Sequence, residues 1–309
     1  MRSERRSPAV AGAVVVAVAI GTLLTGCAAA QPVSSGKIVA VGAENEYADV
    51  IAQIGGKYVD ARAVMSNPNT DPHTFEASPS VARTVSEAQL VVQNGVGYDD
   101  FMNKLEQASP SADRSVIVAQ DVLHLPDSTP NPHLWYDPDT MPAVGTSIAA
   151  ALGKLQPAHT SYFEKNLVTF KSSLGAWTSA LAAFKRAHGG TPVAVTEPVA
   201  DYALQAAGVD IRTPFSLQAA IMNDTDPSPQ QSAQQDALFT GRRVKAFLYN
   251  QQVTDSITAH YLSLARANHI PVVGVYETMP RGYHYQSWML AELGALTKAV
   301  TDGTSTENL

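Results

Sequence analysis

The sequence predicts an α/β protein of two lobes, each a four-stranded, mainly parallel sheet flanked by helices, joined by one long rigid backbone helix. Three observations predict it. Short β-rich runs alternate with helical patterns from residue 37 onward, and strands separated by helical crossovers must pair in parallel, with helices over the sheet faces. The alternation stops between about 157 and 188. It then resumes for four more strands.

In the first half the strand candidates are 37–43 (KIVAVGA), 58–65, 90–94 (LVVQN) and 115–119 (SVIVA). An amphipathic stretch over 45–54 ends at a Gly-Gly stop. A second helix opens at Ser78-Pro79, an N-cap followed by a proline at the first helical position. From 157 to 188 the only glycine is Gly175, and Tyr162, Leu167, Phe170, Leu174, Trp177, Leu181 and Phe184 recur at helical spacing. That pattern predicts one helix of roughly 45 Å at 1.5 Å per residue, ended by His188-Gly189-Gly190. The second half offers strands at 192–196 (PVAVT), 209–213, 244–250 (VKAFLYN) and 271–276 (PVVGVY), each followed by a helical stretch. It repeats the first half in architecture, four strands plus four helices, and not in sequence.

The 309 residues, 45% hydrophobic and 16% charged, are ample for packed cores and unlike a disordered chain. The first segment stands apart. Arg2, Arg5 and Arg6 precede an apolar run over 9–24 that closes in Leu24-Thr25-Gly26-Cys27. A basic head, an apolar stretch shorter than the roughly 20 residues a bilayer asks for, and small residues before a cut describe a secretory signal peptide. Cys27 is the only cysteine, so it has no internal disulfide partner. Leu-Thr-Gly-Cys resembles the bacterial lipobox, which implies lipidation of Cys27 and an anchor on the extracytoplasmic face of the cell membrane. The expected organisation is a signal peptide over 1–26, a lipidated tether over 27–36, an N-terminal lobe over 37–155, a linking helix over 156–189 and a C-terminal lobe over 190–309. Cleavage removes three arginines and one glutamate and takes the formal charge from -7 to -9. An acidic chain without a basic stripe is not expected to bind nucleic acid, and a monomer is expected.

In open parallel sheets, ligands bind beyond the carboxyl ends of the strands. Beyond the second strand lies Asp71-Pro72-His73, and beyond the fourth, Asn131-Pro132-His133. Beyond the first strand of the second lobe lies Thr196-Glu197-Pro198, and beyond its last, Tyr276-Glu277-Thr278. Two imidazoles and two carboxylates therefore fall at the functional edges, two from each lobe. Such a set suits a divalent transition metal, and the two carboxylates neutralise the dication on burial. Taken singly, each residue has a plainer explanation: a histidine in a turn, or a glutamate at a helix N-terminus. Four at four matching strand ends point to one ion. Asp71 and Asn131 are candidate partners for the ligands' outer atoms, and His124 is a reserve ligand. His284 is expected to face solvent, as are His159, His188, His260 and His269. Trp135 and Trp288 read as packing residues near the cleft. Gly95-Val96-Gly97 is too little for a nucleotide loop, and 223–226 reads as an acidic turn.

Together DPHTFEASPS (71–80), NGVGYDDFMNKL (94–105), NPHLWYDP (131–138) and ETMPRGYHYQSWMLAEL (277–293) resemble the zinc/manganese-binding lipoproteins of bacterial ABC importers, over nearly all of the chain after Cys27. The resemblance implies two α/β lobes with a rigid linking helix, Mn2+ or Zn2+ bound between them as cargo, and delivery to a permease with its ATPase subunit. It places ligands at His73 and His133. The third ligand position is histidine in many zinc binders and glutamate in many manganese binders; here it is Glu197. The fourth is usually an aspartate in a Thr-Asp-Ser-like turn, and this sequence departs from that with Glu277. The stretch before NPHLW, 123–130, is short and holds one histidine, unlike the His-rich loop of many zinc-specific members. Those two features lean toward manganese. The expected protein is a binding protein and not an enzyme; the alternatives are a metal-dependent hydrolase, a surface adhesin, or a siderophore or vitamin binder with the same helix-linked architecture.

Overall fold

The computed structural model describes residues 36–69 and 75–309. Cys27, Asp71 and His73 lie outside the described residues, as does nearly all of the expected tether.

Among the described residues, eight strands form two sheets. β1 (Ile38–Glu44), β2 (Val59–Met65), β3 (Leu90–Gln93) and β4 (Ser115–Val118) make the first, in the order β2-β1-β3-β4. β5 (Pro192–Val195), β6 (Asp210–Ile211), β7 (Ala246–Asn250) and β8 (Val272–Val275) make the second, in the order β6-β5-β7-β8. Every pairing is parallel. In each sheet the winding reverses beside the first strand, between β1 and β3 and between β5 and β7. Those switch points are where the carboxyl ends open a crevice.

The period-two alternation of a strand explains the layering. On β1, Ile38 and Ala40 face one core while Val41 and Ala43 face another; on β7, Ala246 and Leu248 face inward while Phe247 and Tyr249 face the outer layer. The inner faces of both sheets share one continuous core, which runs through Trp135, Tyr136, Trp177, Tyr285 and Trp288.

The helices follow their local signals. α1 (Asn45–Gly55) stops at Gly56, whose φ of 51° suits a residue without Cβ. α2 (Pro79–Glu87) is capped by Ser78, whose hydroxyl accepts from the Val81 N–H. α3 (Phe101–Ala108), α4 (Ala119–Val122) and α5 (Thr140–Leu155) complete the first half. The expected 157–188 helix is present as α6 (Thr160–Ser173) and α7 (Gly175–His188), which meet at Leu174. Leu174 keeps helical angles (φ -71°, ψ -16°), and the Thr178 N–H still reaches its carbonyl at 3.0 Å, so the two run on from one another. The break coincides with Gly175, the weakest helix former in the segment.

The second half holds α8 (Asp201–Ala206), α9 (Phe215–Met222), α10 (Pro229–Thr240), α11 (Ser256–Ala267) and α12 (Tyr285–Asp302). The expectation of four helices per lobe is one short in both halves. In the second, the 215–240 stretch is divided where Ser228 caps α10 with Pro229 at its first position and Gln231 closing a capping box. Among the described residues no helix is long and apolar enough to cross a membrane.

Candidate metal centre

His133 enters the site from the loop after α4, in a short turn that continues into Leu134–Tyr136. The ring is completely buried. Asn131 fixes it twice: its Oδ1 accepts from the His133 backbone N–H at 3.0 Å and from Nδ1 at 2.7 Å. The Asn131 amide group donates in the other direction, to the Pro198 carbonyl at 2.8 Å, which settles which end is oxygen. Nδ1 therefore carries the proton and Nε2 presents its lone pair. This is the outer partner that a metal-binding imidazole needs, a polar group on one nitrogen that aims the other.

Nε2 lies 3.1 Å from Oε2 of Glu277, itself fully buried. Metal–ligand bonds of about 2.1 Å at angles between a right angle and the tetrahedral value put neighbouring ligand atoms roughly 3.0 to 3.4 Å apart. The spacing of this pair falls in that range. Glu277 follows β8 by two residues, and its position is set from behind: the Gln252 Oε1 accepts the backbone N–H of Glu277 at 2.6 Å and of Thr278 at 2.8 Å. Tyr98 donates its hydroxyl to Glu277 Oε2 at 3.0 Å.

Glu197 follows β5 and is 2% exposed. Between it and Glu277 stands Asn250, the last residue of β7, donating to Glu197 Oε2 and to Glu277 Oε1 at 2.7 Å each. The predicted His133, Glu197 and Glu277 are thus drawn into one buried network, with Asn131 as the partner of His133. Among the described residues no group of three or more His, Cys, Asp or Glu side chains is close enough to hold a metal by itself; the direct pair is His133 with Glu277, and Glu197 joins them through an amide. His124, the reserve ligand, is exposed and sits in a left-handed turn (φ 55°) after α4. His284 is largely exposed, as expected, yet its Nδ1 pairs with Asp49 at 2.7 Å.

Tyr98 and Asn250 were not legible as site residues. The only signal for Asn250 was a polar residue closing a buried strand. Nor did the sequence mark Glu44 and Glu46, which flank the start of α1 at the end of β1. Both are buried, and among the described residues no side chain donates a hydrogen bond to any of their four carboxylate oxygens. Burial pushes both well above the usual carboxylate range, helped at Glu44 by Asp99 and Glu46, and at Glu46 by Glu277. Burial also raises Asp99 to about 6, against the N–H groups of Gly95 and Asn94 that hold it down. Glu46 and Glu277 lie close enough for their charges to interact, so carboxyl groups gather beside the candidate site, an environment that favours a positive ion.

Comparison with known proteins agrees in kind. The family model of ZnuA, zinc-uptake complex component A, periplasmic, matches residues 41–299. The manganese-binding lipoprotein MntA of Bacillus subtilis is 26% identical over 159 residues, 49% of this chain and 52% of that protein, so the chain spans about half the length of this curated relative. Two solved structures share the fold. The periplasmic zinc-binding protein TroA of Treponema pallidum superposes with a TM-score of 0.71 at 17% identity, covering 86% of this chain and 99% of that one. A mutant of the laminin-binding adhesin Lmb of Streptococcus agalactiae gives 0.71 at 20% identity, covering 85% and 100%.

Proposed function

The chain belongs to the family of the periplasmic zinc-uptake complex component A, and from that premise we propose that it is the extracytoplasmic solute-binding component of an ABC importer for a divalent transition metal. The ion is Mn2+ or Zn2+, carried as cargo and not as a cofactor. His73, His133, Glu197 and Glu277 hold it, and a permease with its ATPase subunit receives it. The protein works as a monomer, turns over no substrate, and is tied to the outer face of the cell membrane through lipid on Cys27. Its parts are a signal peptide over 1–26, a tether over 27–36, lobes over 37–155 and 190–309, and a linking helix over 156–189.

The observation that carries this reading is the pair His133 Nε2 and Glu277 Oε2, 3.1 Å apart and fully buried, contributed by opposite lobes. Two carboxylates among four ligands, and the short 123–130 stretch, support manganese over zinc in the cell. In vitro the same ligands should hold zinc more tightly by the Irving–Williams order, so selectivity rests on geometry and supply. Elemental analysis of the native protein and thermal shift with Mn2+ and Zn2+ test the reading. A ligand at a hundred times its Kd stabilises the native state by about 2.7 kcal/mol. That gain should be present in wild type and lost in His73→Ala and His133→Ala. If neither metal raises the Tm of wild type, the proposal fails.

A further inference from the structure

Gly95, Val96 and Gly97, too little for a nucleotide loop, are three successive residues in the left-handed region, with φ of 82°, 57° and 75°. Glycine takes such angles freely. For a β-branched valine a positive φ is a genuine outlier. Strain of this kind persists only where the surroundings over-determine it, and it gathers at functional sites. Here the surroundings do so. Gln120 Oε1 accepts the Val96 N–H at 2.7 Å, and the Asp99 carboxylate accepts the N–H groups of Asn94 at 2.6 Å and Gly95 at 2.9 Å. The Asn94 side-chain amide donates to the Pro132 carbonyl at 2.8 Å, which fixes the loop to the turn that carries His133.

The bend delivers Tyr98. The loop follows β3 in the first sheet, and the Tyr98 hydroxyl reaches Glu277 Oε2, beyond β8 in the second, at 3.0 Å. The same oxygen lies 3.1 Å from His133 Nε2. The Tyr98 ring stands edge-on to His133, with centroids 5.8 Å apart, and to Trp135 at 5.0 Å. A carboxylate oxygen has more than one lone pair, so accepting this hydrogen bond leaves Oε2 able to bind an ion as well.

We propose that Tyr98 is a positioning residue that latches Glu277 from the opposite lobe, and that the 95–97 loop is bent to hold it there. This rests on the metal-cargo reading above. The bond spans the crevice, so it is made only while the carboxyl ends of the two sheets lie together. An ion leaves as those ends part, and the bond opposes their parting. It gives nothing to an ion arriving while they stand apart. Tyr98 therefore acts on release and not on capture, which is where affinity differences between related complexes usually lie.

Stopped-flow kinetics with Zn2+ and Mn2+ measure both rates on wild type and on Tyr98→Phe, which keeps the ring contacts and removes only the hydroxyl. Loss of an outer partner of a metal ligand costs roughly 10- to 100-fold in affinity. Release should quicken at least about tenfold while capture changes by less than about twofold. Gly95→Ala tests the loop, because a Cβ there would meet the Gln120 side chain and Val118 at 2.8 Å and push the backbone aside. It should also quicken release, and the double variant should be no faster than the quicker single one, because both substitutions remove the same contact. Unchanged release in either single variant, a loss that falls in capture, or effects that multiply in the double variant would overturn the inference. Wild type that binds neither ion would sink the cargo reading, and this inference with it. Should Gly95→Ala not fold, Gly97→Ala takes its place, since its Cβ meets nothing within 4 Å and strains the loop through φ alone.

Discussion

Around Glu292 there are more acceptors than the neighbouring donors can serve. Trp288 Nε1 donates to its Oε1 at 2.7 Å, and the Tyr136 hydroxyl lies 2.7 Å from its Oε2. The same hydroxyl lies 2.8 Å from the Tyr276 carbonyl, and Tyr136 has a single proton to give. If the tyrosine donates to the carbonyl, Glu292 must be protonated and donate to the tyrosine. Burial drives it that way, lifting its pKa from 4.5 to about 8 against the hydrogen bonds of Tyr136, Trp288 and the Tyr276 backbone that pull it down. Between those two values the native state keeps a proton that the unfolded chain has released. Stability from this group is therefore present at low pH and falls as pH rises from about 4.5 to about 8, by at most roughly 1.4 kcal/mol per pH unit. Glu292→Gln keeps both hydrogen bonds, with the amide donating to Tyr136, and has nothing to titrate. Urea unfolding at pH 5, 6.5 and 8 should show the variant gaining on wild type at each step. Parallel pH profiles would mean that Glu292 is ionised in the native state. Around the proposed metal centre the same kind of bookkeeping decides what was legible. His133 and Glu197 stand beyond strand ends and could be picked out by topology, whereas Asn250 and Tyr98 act only through what they touch, which no pattern of residue types reveals.

At the scale of elements, the strands were the most readable. Most are short apolar runs bounded by helical patterns, because strands buried on both faces cannot alternate with polar residues; the edge strand β2, with Asp60 and Arg62, is the mixed one. Helix continuity was harder to read, since the apolar periodicity of 157–188 passes through Gly175 with no sign of the junction, where α6 ends at Ser173 and α7 starts at Gly175 although helical angles continue through Leu174. The junction of α6 and α7 offers a clean experiment. Gly175 has no positive φ, and a Cβ built on it meets nothing within 4 Å. Alanine there removes unfolded-state freedom and a weak helix former at no steric cost, which stabilises by about 0.5–1 kcal/mol. In a chain of this size that is a rise in Tm of roughly 1–3 °C. Metal affinity and release rate should not change, because the junction lies within a helix and not at the ligands. A slower release from Gly175→Ala would instead identify Leu174–Gly175 as a working hinge.

The whole molecule is bound together by more than its linking helix. Trp135, Tyr136, Tyr285 and Trp288 carry one apolar core from sheet to sheet, and the Tyr285 hydroxyl donates across it to the Trp135 carbonyl at 2.6 Å. A polar stripe on α1 adds a second seam. Asn45, Asp49 and Gln53, spaced four apart and so on one helix face, meet the segment that leads from Glu277 into α12. Asn45 exchanges two hydrogen bonds with the Met279 backbone, at 2.8 and 2.9 Å. Asp49 accepts from the Tyr285 N–H and pairs with His284, and Gln53 exchanges bonds with Gln286. In sequence the stripe looks like an ordinary solvated helix face, which is why it could not be read there. Its order has a consequence for metal binding. Met279 is two residues from Glu277, so Asn45 steadies that proposed ligand directly, while Gln53 lies two turns away. Loss of metal affinity should therefore decline along the stripe, from roughly tenfold for Asn45→Ala to little for Gln53→Ala, as expected for support of a ligand that weakens with distance. Loss of stability should follow the bonds broken and not the distance to the ligand, and Asp49→Ala, with a charged acceptor removed from a largely buried position, should cost the most, about 1–3 kcal/mol. Titration calorimetry and urea unfolding on the three variants separate the two orders. If affinity and stability fall in the same order, the seam only holds the lobes together, and Glu277 is positioned by β8 and Gln252 alone.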